Sequence, residues 1–307
     1  MDLVFLGTPS FAEPALKKLL ESDHRVVAVV TQPDKPVGRG QKITPPPVKV
    51  LAEKYHVPVY QPTNLKKDPS LLESLQELSP DLMITAAYGQ ILNQKVLDIP
   101  KIGVWNIHAS LLPRWRGAAP INWAILSGDP VTGITIMQTE LGLDTGAILS
   151  KAELQINPDT NAPNLTHQLA KLGADLLLQT IGDFISGKIV PVSQDDSLAT
   201  HAPKLVREMG LVDFGAERAI TIDRKIRALL PWPSAYFHDQ DQIIKIFQAE
   251  PKDSQARDRE SGSYIGLEGE GVLVQCNPGI LKLITVQPPN KAKMKAAEWY
   301  RNSIMRT

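Results

Sequence analysis

The first half of the chain alternates short apolar runs with amphipathic helical patterns, and this alternation limits its fold more than any other feature. Strand-like runs fall at residues 3–6, 26–31, 81–87, 103–108 and 133–138. Helical patterns fall at about 11–21, 47–55, 70–78, 118–127 and 163–186. Nearly continuous apolar strands separated by helices predict a doubly wound, mostly parallel sheet, an α/β architecture with both faces covered. Such sheets place ligands beyond the carboxyl ends of their strands.

The first turn, FLGTPSFAEPAL, invites a dinucleotide reading and fails it. Pro9 stands where the second glycine of G-x-G-x-x-G would let the backbone approach a pyrophosphate. No NAD is expected. Ser10 and Glu13 have the spacing of a capping box, and Pro14 offers an alternative way to open the helix.

Residues 188–208 are polar and aperiodic, as in a connector. Beyond them the pattern changes to one helix at about 216–229 and strand-like runs at 235–238, 243–248, 263–267, 271–276 and 281–286. Short strands at close spacing predict a small β-barrel. The expected organisation is a domain over 1–187, a linker over 188–208 and a second domain over 209–307.

Lys+Arg and Asp+Glu both number 33, so overall charge names no partner and a nucleic-acid contact would need a local patch. The single cysteine, Cys276, excludes an internal disulfide and any multi-cysteine metal site and reads as a small apolar filler. The six histidines show no paired-ligand spacing, so no metal is expected. The first residues, MDLVFLGTPS, lack the apolar length of a secretory signal, and no run reaches the ~18 apolar residues of a membrane helix. The expectation is a cytoplasmic protein with no membrane partner, and nothing requires more than a monomer.

The chemistry concentrates in NIHASLLPRWRG, residues 106–117. Asn106 and His108 are two apart, so on a strand they share a face. Asn brings an amide donor and His a base that titrates near neutrality. ELGLDTGAI places Asp144 between Gly142 and Gly146 just after another apolar run. If that strand neighbours the first, its carboxylate reaches His108 and stabilises the imidazolium. An amide, a base and an orienting acid suit acyl transfer. No Ser or Cys stands in a nucleophile-elbow context, which favours direct attack by a substrate amine.

NIHASLLPRWRGAAPINWAI followed by GITIMQTELGLDTG closely resembles the folate-dependent formyltransferases. The resemblance implies that Asn106, His108 and Asp144 are the catalytic set. It also implies that the donor is 10-formyltetrahydrofolate and that Ser110, Leu111, Leu112 and Pro113 line its site. Within the family the acceptor can be a purine precursor amine, an amino-sugar nucleotide or methionine on tRNA.

The discriminating stretch is TQPDKPVGRGQKITPPPVK, residues 31–49. Lys35, Arg39, Lys42 and Lys49 against Asp34 leave it three charges positive. Glycines flank Arg39, and basic residues on a long loop suit a phosphate backbone. The loop resembles the Gln-Pro-Asp-x-Pro-x-Gly-Arg-Gly insertion of the family members that formylate methionine on initiator tRNA. That likeness implies Arg39 and Lys42, with Lys35, as tRNA contacts and initiator methionyl-tRNA as the partner. RKIRALLPWPSAYF resembles the start of their C-terminal domain, which implies that the small barrel is of the oligonucleotide-binding (OB) type. A basic tail, Lys282, Lys291, Lys293, Lys295, Arg301 and Arg306 against Glu298, fits the same substrate. Trp115 reads as an anchor of its loop and Trp232 as packed in the second domain. Phe214 and Ser234 depart from the family pattern, and residues 250–262 match none of it.

Overall fold

The computed structural model describes residues 1–38, 40–252 and 259–304 and forms two compact units. The first comprises residues 1–120, 131–155 and 166–202, and the second comprises 121–130, 156–165 and 203–304. The division thus falls inside the stretch expected as a connector. Residues 121–130 and 156–165 also cluster with the second unit, where the linear reading placed them in the first domain.

The elements up to residue 202 are, in order, β1 (Asp2–Gly7), α1 (Glu13–Leu20), β2 (Arg25–Val30), β3 (Lys35–Val37), β4 (Lys42–Thr44), α2 (Pro47–Lys54), β5 (Val59–Tyr60), α3 (Pro69–Glu77), β6 (Leu82–Ala86), α4 (Gln94–Leu97), β7 (Gly103–His108), β8 (Arg116–Gly117), α5 (Pro120–Ser127), β9 (Val131–Gln138), β10 (Ile148–Gln155), α6 (Ala162–Ile185) and β11 (His201–Ala202). Seven strands make one sheet in the order β10-β9-β7-β6-β1-β2-β5. β5, β2, β1, β6 and β7 run parallel, and β9 and β10 join antiparallel at the edge beside β7.

Strand alternation divides the apolar residues between two faces. Val4, Leu6, Met83 and Val104 pack in one cluster with Leu71 and Leu75 of α3 and Val96 of α4. On the other face Trp105 meets Phe184 of α6 edge-on at 5.1 Å. Gly173 of α6 lets the helix sit against Ile107, where a Cβ would stand 2.8 Å from the Ile107 Cγ2. The sheet is therefore doubly wound.

Helix α1 forms without the capping box expected of Ser10 and Glu13. Ala12 is its N-cap, no side chain caps it, and Pro14 stands in its first turn. Pro14 pre-sets a helical φ and removes a donor that the first turn cannot pair.

The second unit carries α7 (Ala219–Ala228), β12 (Ala235–Asp239), β13 (Gln242–Lys252), β14 (Tyr264–Glu268), β15 (Gly271–Gln275), β16 (Ile280–Gln287), β17 (Met294–Lys295) and α8 (Ala296–Ile304). Its antiparallel sheet runs β12-β13-β16-β15-β14, with β17 against β16. The core draws Ile222 and Ile226 from α7, Ile244, Val274 and Leu283 from the sheet, and Trp299 from α8. Cys276 is buried in this core, and burial pushes its thiol up to about 12, as suits an inert filler. Trp232 is 57% exposed and not packed as expected, because Pro231 and Pro233 hold it in a turn. Of the unassigned stretch 250–262, residues 253–258 lie outside the described residues, as do Arg39 and Arg306.

Candidate active site

Asn106 and His108 stand at the carboxyl end of β7, on the face that carries Val104, while Trp105 and Ile107 point toward α6. Asn106 lies opposite Thr85 of β6. The Thr85 hydroxyl donates to Asn106 Oδ1 at 2.8 Å. With its oxygen engaged, the amide presents its Nδ2 hydrogens as donors. Thr85 is a polar residue in the otherwise apolar strand LMITA, and this was the one available signal for it.

We expect Thr85→Val, which keeps shape and removes the hydroxyl, to slow turnover about fivefold, the rate equivalent of ~1 kcal/mol. Steady-state kinetics against a thermal melt tests this. A loss of stability with kcat intact would assign Thr85 to packing alone.

His108 is buried, and its Nε2 stands 2.9 Å from the carbonyl oxygen of Trp115. Its Nδ1 faces Asp144 Oδ1 at 3.7 Å. β9 does neighbour β7, but antiparallel, so the loop that follows β9 starts beside Val104 and folds back along β7 to set Asp144 against the histidine. Asp144 itself adopts φ +53. Its Oδ2 accepts the Gly117 N–H at 2.8 Å. Both ring nitrogens of His108 thus face oxygen atoms, the Trp115 carbonyl within hydrogen-bond distance and the Asp144 carboxylate beyond it.

The turn between these residues is held by its own polar groups. Thr135 of β9 accepts from the Leu112 N–H at 3.1 Å and donates to the Ser110 carbonyl at 2.7 Å. The Ser110 hydroxyl donates to the Arg114 carbonyl at 2.6 Å, and the Lys151 ammonium donates to the Leu112 carbonyl. Ser110 and Leu112 are fully enclosed, whereas Leu111 and Pro113 keep partial exposure. Trp115 is buried, with the Arg114 guanidinium 4.4 Å over its ring, so it anchors the loop.

In the same unit a cavity of about 480 Å³ is lined by Leu97, Ile102, Val104 and the 138–142 segment. It adjoins the catalytic candidates in sequence: Val104 is two residues before Asn106 and Gly142 two before Asp144. Thr139 in its wall has a buried hydroxyl with no partner among the described residues. Leu141 and Leu143 are exposed at 64% and 63% in the loop that leads to Asp144.

The expected tRNA loop is a hairpin. β3 pairs antiparallel with β4, with Lys35 opposite Thr44 and Val37 opposite Lys42. Directly opposed residues share a face and alternate positions repeat it, so Lys35 and Lys42 project from the same face, both exposed. Arg39 lies outside the described residues. Lys49 is not part of that surface: its ammonium donates to both oxygens of Asp34 at 3.0 Å, and the Gln61 amide donates to Asp34 at 2.7 Å.

The Gln61 and Lys49 contacts hold the Asp34 carboxyl below the usual carboxylate range. A depressed carboxylate keeps its contribution above its unfolded value and loses it only as pH falls through the folded one. The hairpin's hydrogen-exchange protection is therefore expected to be equal at pH 7 and pH 5 and to drop at both in Asp34→Ala. A fall between pH 7 and pH 5 in the unaltered protein would contradict the pin.

The formyl transferase family profile matches residues 1–181, and the formyl transferase C-terminal domain matches residues 204–303. Over 299 residues the chain is 43% identical to a methionyl-tRNA formyltransferase of Geotalea uraniireducens, covering 97% of this chain and 94% of that one. The chain belongs to the methionyl-tRNA formyltransferase family. A family member from Clostridium novyi is likewise 43% identical over 305 residues, covering 99% of this chain and 98% of its own.

Among solved structures, an N-formyltransferase from Helicobacter canadensis in complex with folinic acid and dTDP-3-aminofucose aligns with a TM-score of 0.69 at 18% identity, over 92% of this chain and 98% of that one. HypX from Aquifex aeolicus in complex with tetrahydrofolic acid aligns with a TM-score of 0.63 at 18% identity, over 97% of this chain. This chain spans 46% of HypX. At such identities the likeness is one of fold.

Three groups of the site escape a reading by side-chain type. They are the Trp115 carbonyl, the Gly117 N–H and Gln194, whose amide donates to the carbonyls of Asp144 and Gly146 at 2.8 Å each. Backbone groups leave no signature in residue identity. Gln194 sits in the polar stretch that reads as a connector.

Proposed function

We propose that the protein transfers the formyl group of 10-formyltetrahydrofolate to the α-amine of methionine on initiator tRNA, acting as a cytoplasmic monomer. The observation that carries this reading is the meeting of Asn106, His108 and Asp144 at the carboxyl end of β7, in a chain of this family. Asn106, with its oxygen held by Thr85, donates from Nδ2 to the formyl oxygen as that oxygen gains negative charge. His108 shares the strand face of Asn106 and is the acid–base group of the step. The attacking amine sheds a proton as its bond to the formyl carbon forms, and the departing folate nitrogen gains one as its own bond to that carbon breaks; His108 mediates this exchange, its Nε2 leaving the Trp115 carbonyl to do so. Asp144 holds the ring and balances its charge.

The residues fit the donor. The folate, when bound, supplies a formyl group on a nitrogen able to leave. Leu97, Ile102 and Val104 give an apolar patch for a flat heterocycle in a depression whose other lining, Gln94, Gln138, Thr139 and Glu140, offers polar groups to its edge. Exposed Leu141 and Leu143, with Leu111 and Pro113, offer further apolar wall. Ser110 and Leu112 support that wall from inside the turn.

For the acceptor, Lys35 and Lys42 on one hairpin face, with Arg39 between them in the sequence, suit the phosphates of an acceptor arm. In the second unit Lys291, Lys293 and Lys295 line a depression of about 620 Å³ that suits the tRNA body. Lys295 there pairs with Glu270 at 2.7 Å, so its charge is partly offset.

The test is stoichiometric. With 10-formyltetrahydrofolate and charged initiator tRNA, one tetrahydrofolate is expected per formyl-methionyl-tRNA. Tetrahydrofolate release without formylated tRNA would overturn the reading.

A further inference from the structure

We infer that Gln194 is a positioning residue for the transfer reaction: its amide, gripped by Arg116, fixes the backbone at Asp144 and so sets where that carboxylate stands relative to His108. The inference rests on the role given to Asp144 above.

Asp144 holds φ +53, a region that L-residues with a side chain enter only when the surroundings keep them there. Gln194 supplies that constraint. Its Nε2 donates to the Asp144 carbonyl and to the Gly146 carbonyl, each at 2.8 Å, so both amide hydrogens are used on the two sides of the turn. Its Oε1 accepts from Arg116 Nε at 3.1 Å and from Arg116 Nη2 at 2.8 Å. A guanidinium can only donate and a carbonyl can only accept, so a single orientation of the amide satisfies all of these hydrogen bonds.

Arg116 is buried, with 5% of its surface exposed. Its neighbour Gly117 donates the N–H that Asp144 Oδ2 accepts. One dipeptide thus commands both ends of Asp144, the backbone through Gln194 and the carboxylate directly. The dipeptide is itself fixed as strand β8 against β11, where a Cβ on Gly117 would stand 2.7 Å from the Ala202 carbonyl. Among the described hydrogen bonds Gln194 makes none to Asn106 or His108, so its influence on the reaction runs through Asp144.

The distinguishing variant is Gln194→Glu. It is isosteric and still accepts from Arg116, yet it has no hydrogen for the two carbonyls. Its second carboxylate oxygen faces the two carbonyls instead, so some loss of stability is expected whatever the residue's role, and the kinetic split decides. We expect Gln194→Glu, still folded at the assay temperature, to lower kcat about 10- to 100-fold and to leave the KM for charged tRNA unchanged. Combined with Asp144→Asn it should add no further loss, because both act through one group. If Gln194→Glu does not fold, Gln194→Met, uncharged and of similar volume, carries the same expectations. A turnover unchanged in Asp144→Asn would sink the reading of the site itself. A slow Asp144→Asn beside a fast Gln194→Glu, or losses that multiply in the double variant, would sink the positioning inference alone.

Discussion

Asn106→Ala is expected to lower turnover by about 100- to 1000-fold, the usual cost of removing one donor to a developing oxyanion. The argument is geometric. Thr85 holds the amide oxygen, so the N–H₂ end faces the site at the end of β7. The asparagine is half-buried and pairs through its backbone with β6 and β9, so the truncation leaves the strand in place. The melting temperature and the affinity for tRNA should therefore stay near wild type while kcat collapses. Single-turnover kinetics at saturating tRNA reads the step directly. A rate within a few-fold of wild type would remove Asn106 from the chemistry.

Replacing Lys35, Arg39 and Lys42 together by alanine is expected to lower kcat/KM for charged tRNA roughly 100-fold, from three exposed charge-assisted hydrogen bonds of ~1 kcal/mol each. The hairpin places Lys35 and Lys42 on one face, and Asp34 with Lys49 and Gln61 holds its base. On the proposed contact of these side chains with phosphates, the slope of log kcat/KM against log salt should flatten by about one for each phosphate left without its cation. Folate affinity should not change. An equal fall in donor and tRNA affinity would point to a disrupted fold, and an unchanged salt slope would place the tRNA elsewhere.

The sheet was legible because each of its long strands is a short apolar run between turn residues, and burial on two faces demands that composition. β10 was not, since ILSKAELQ is an edge strand whose exposed face carries polar residues at alternate positions and which pairs along its length with β9, with one further bridge from Ile148 to Val192. Helix α8 hid in a tail read for its charge, although Ala296, Ala297 and Trp299 make its buried face. The hairpin at 35–44 escaped notice because its strands are three residues each and exposed.

At the site, Asn106 and His108 announced themselves by their spacing, and Asp144 by the glycines around it. The partners that orient them did not. Thr85, the Trp115 carbonyl, the Gly117 N–H and Gln194 come from separate places in the chain, and only the fold brings them together. Arg116 carries no mark in the sequence that sets it apart from Arg114. Its burial and its grip on Gln194 make it part of the scaffold.

The central claim is that this strand-end set formylates methionine on tRNA. The most direct measurement gives the protein 10-formyltetrahydrofolate and four parallel acceptors: methionine-charged initiator tRNA, the same tRNA uncharged, free methionine and an amino-sugar nucleotide. Formyl product on the charged tRNA alone is the predicted result. Product on the amino sugar and none on the tRNA would keep the Asn106, His108 and Asp144 chemistry and contradict the account of what it serves.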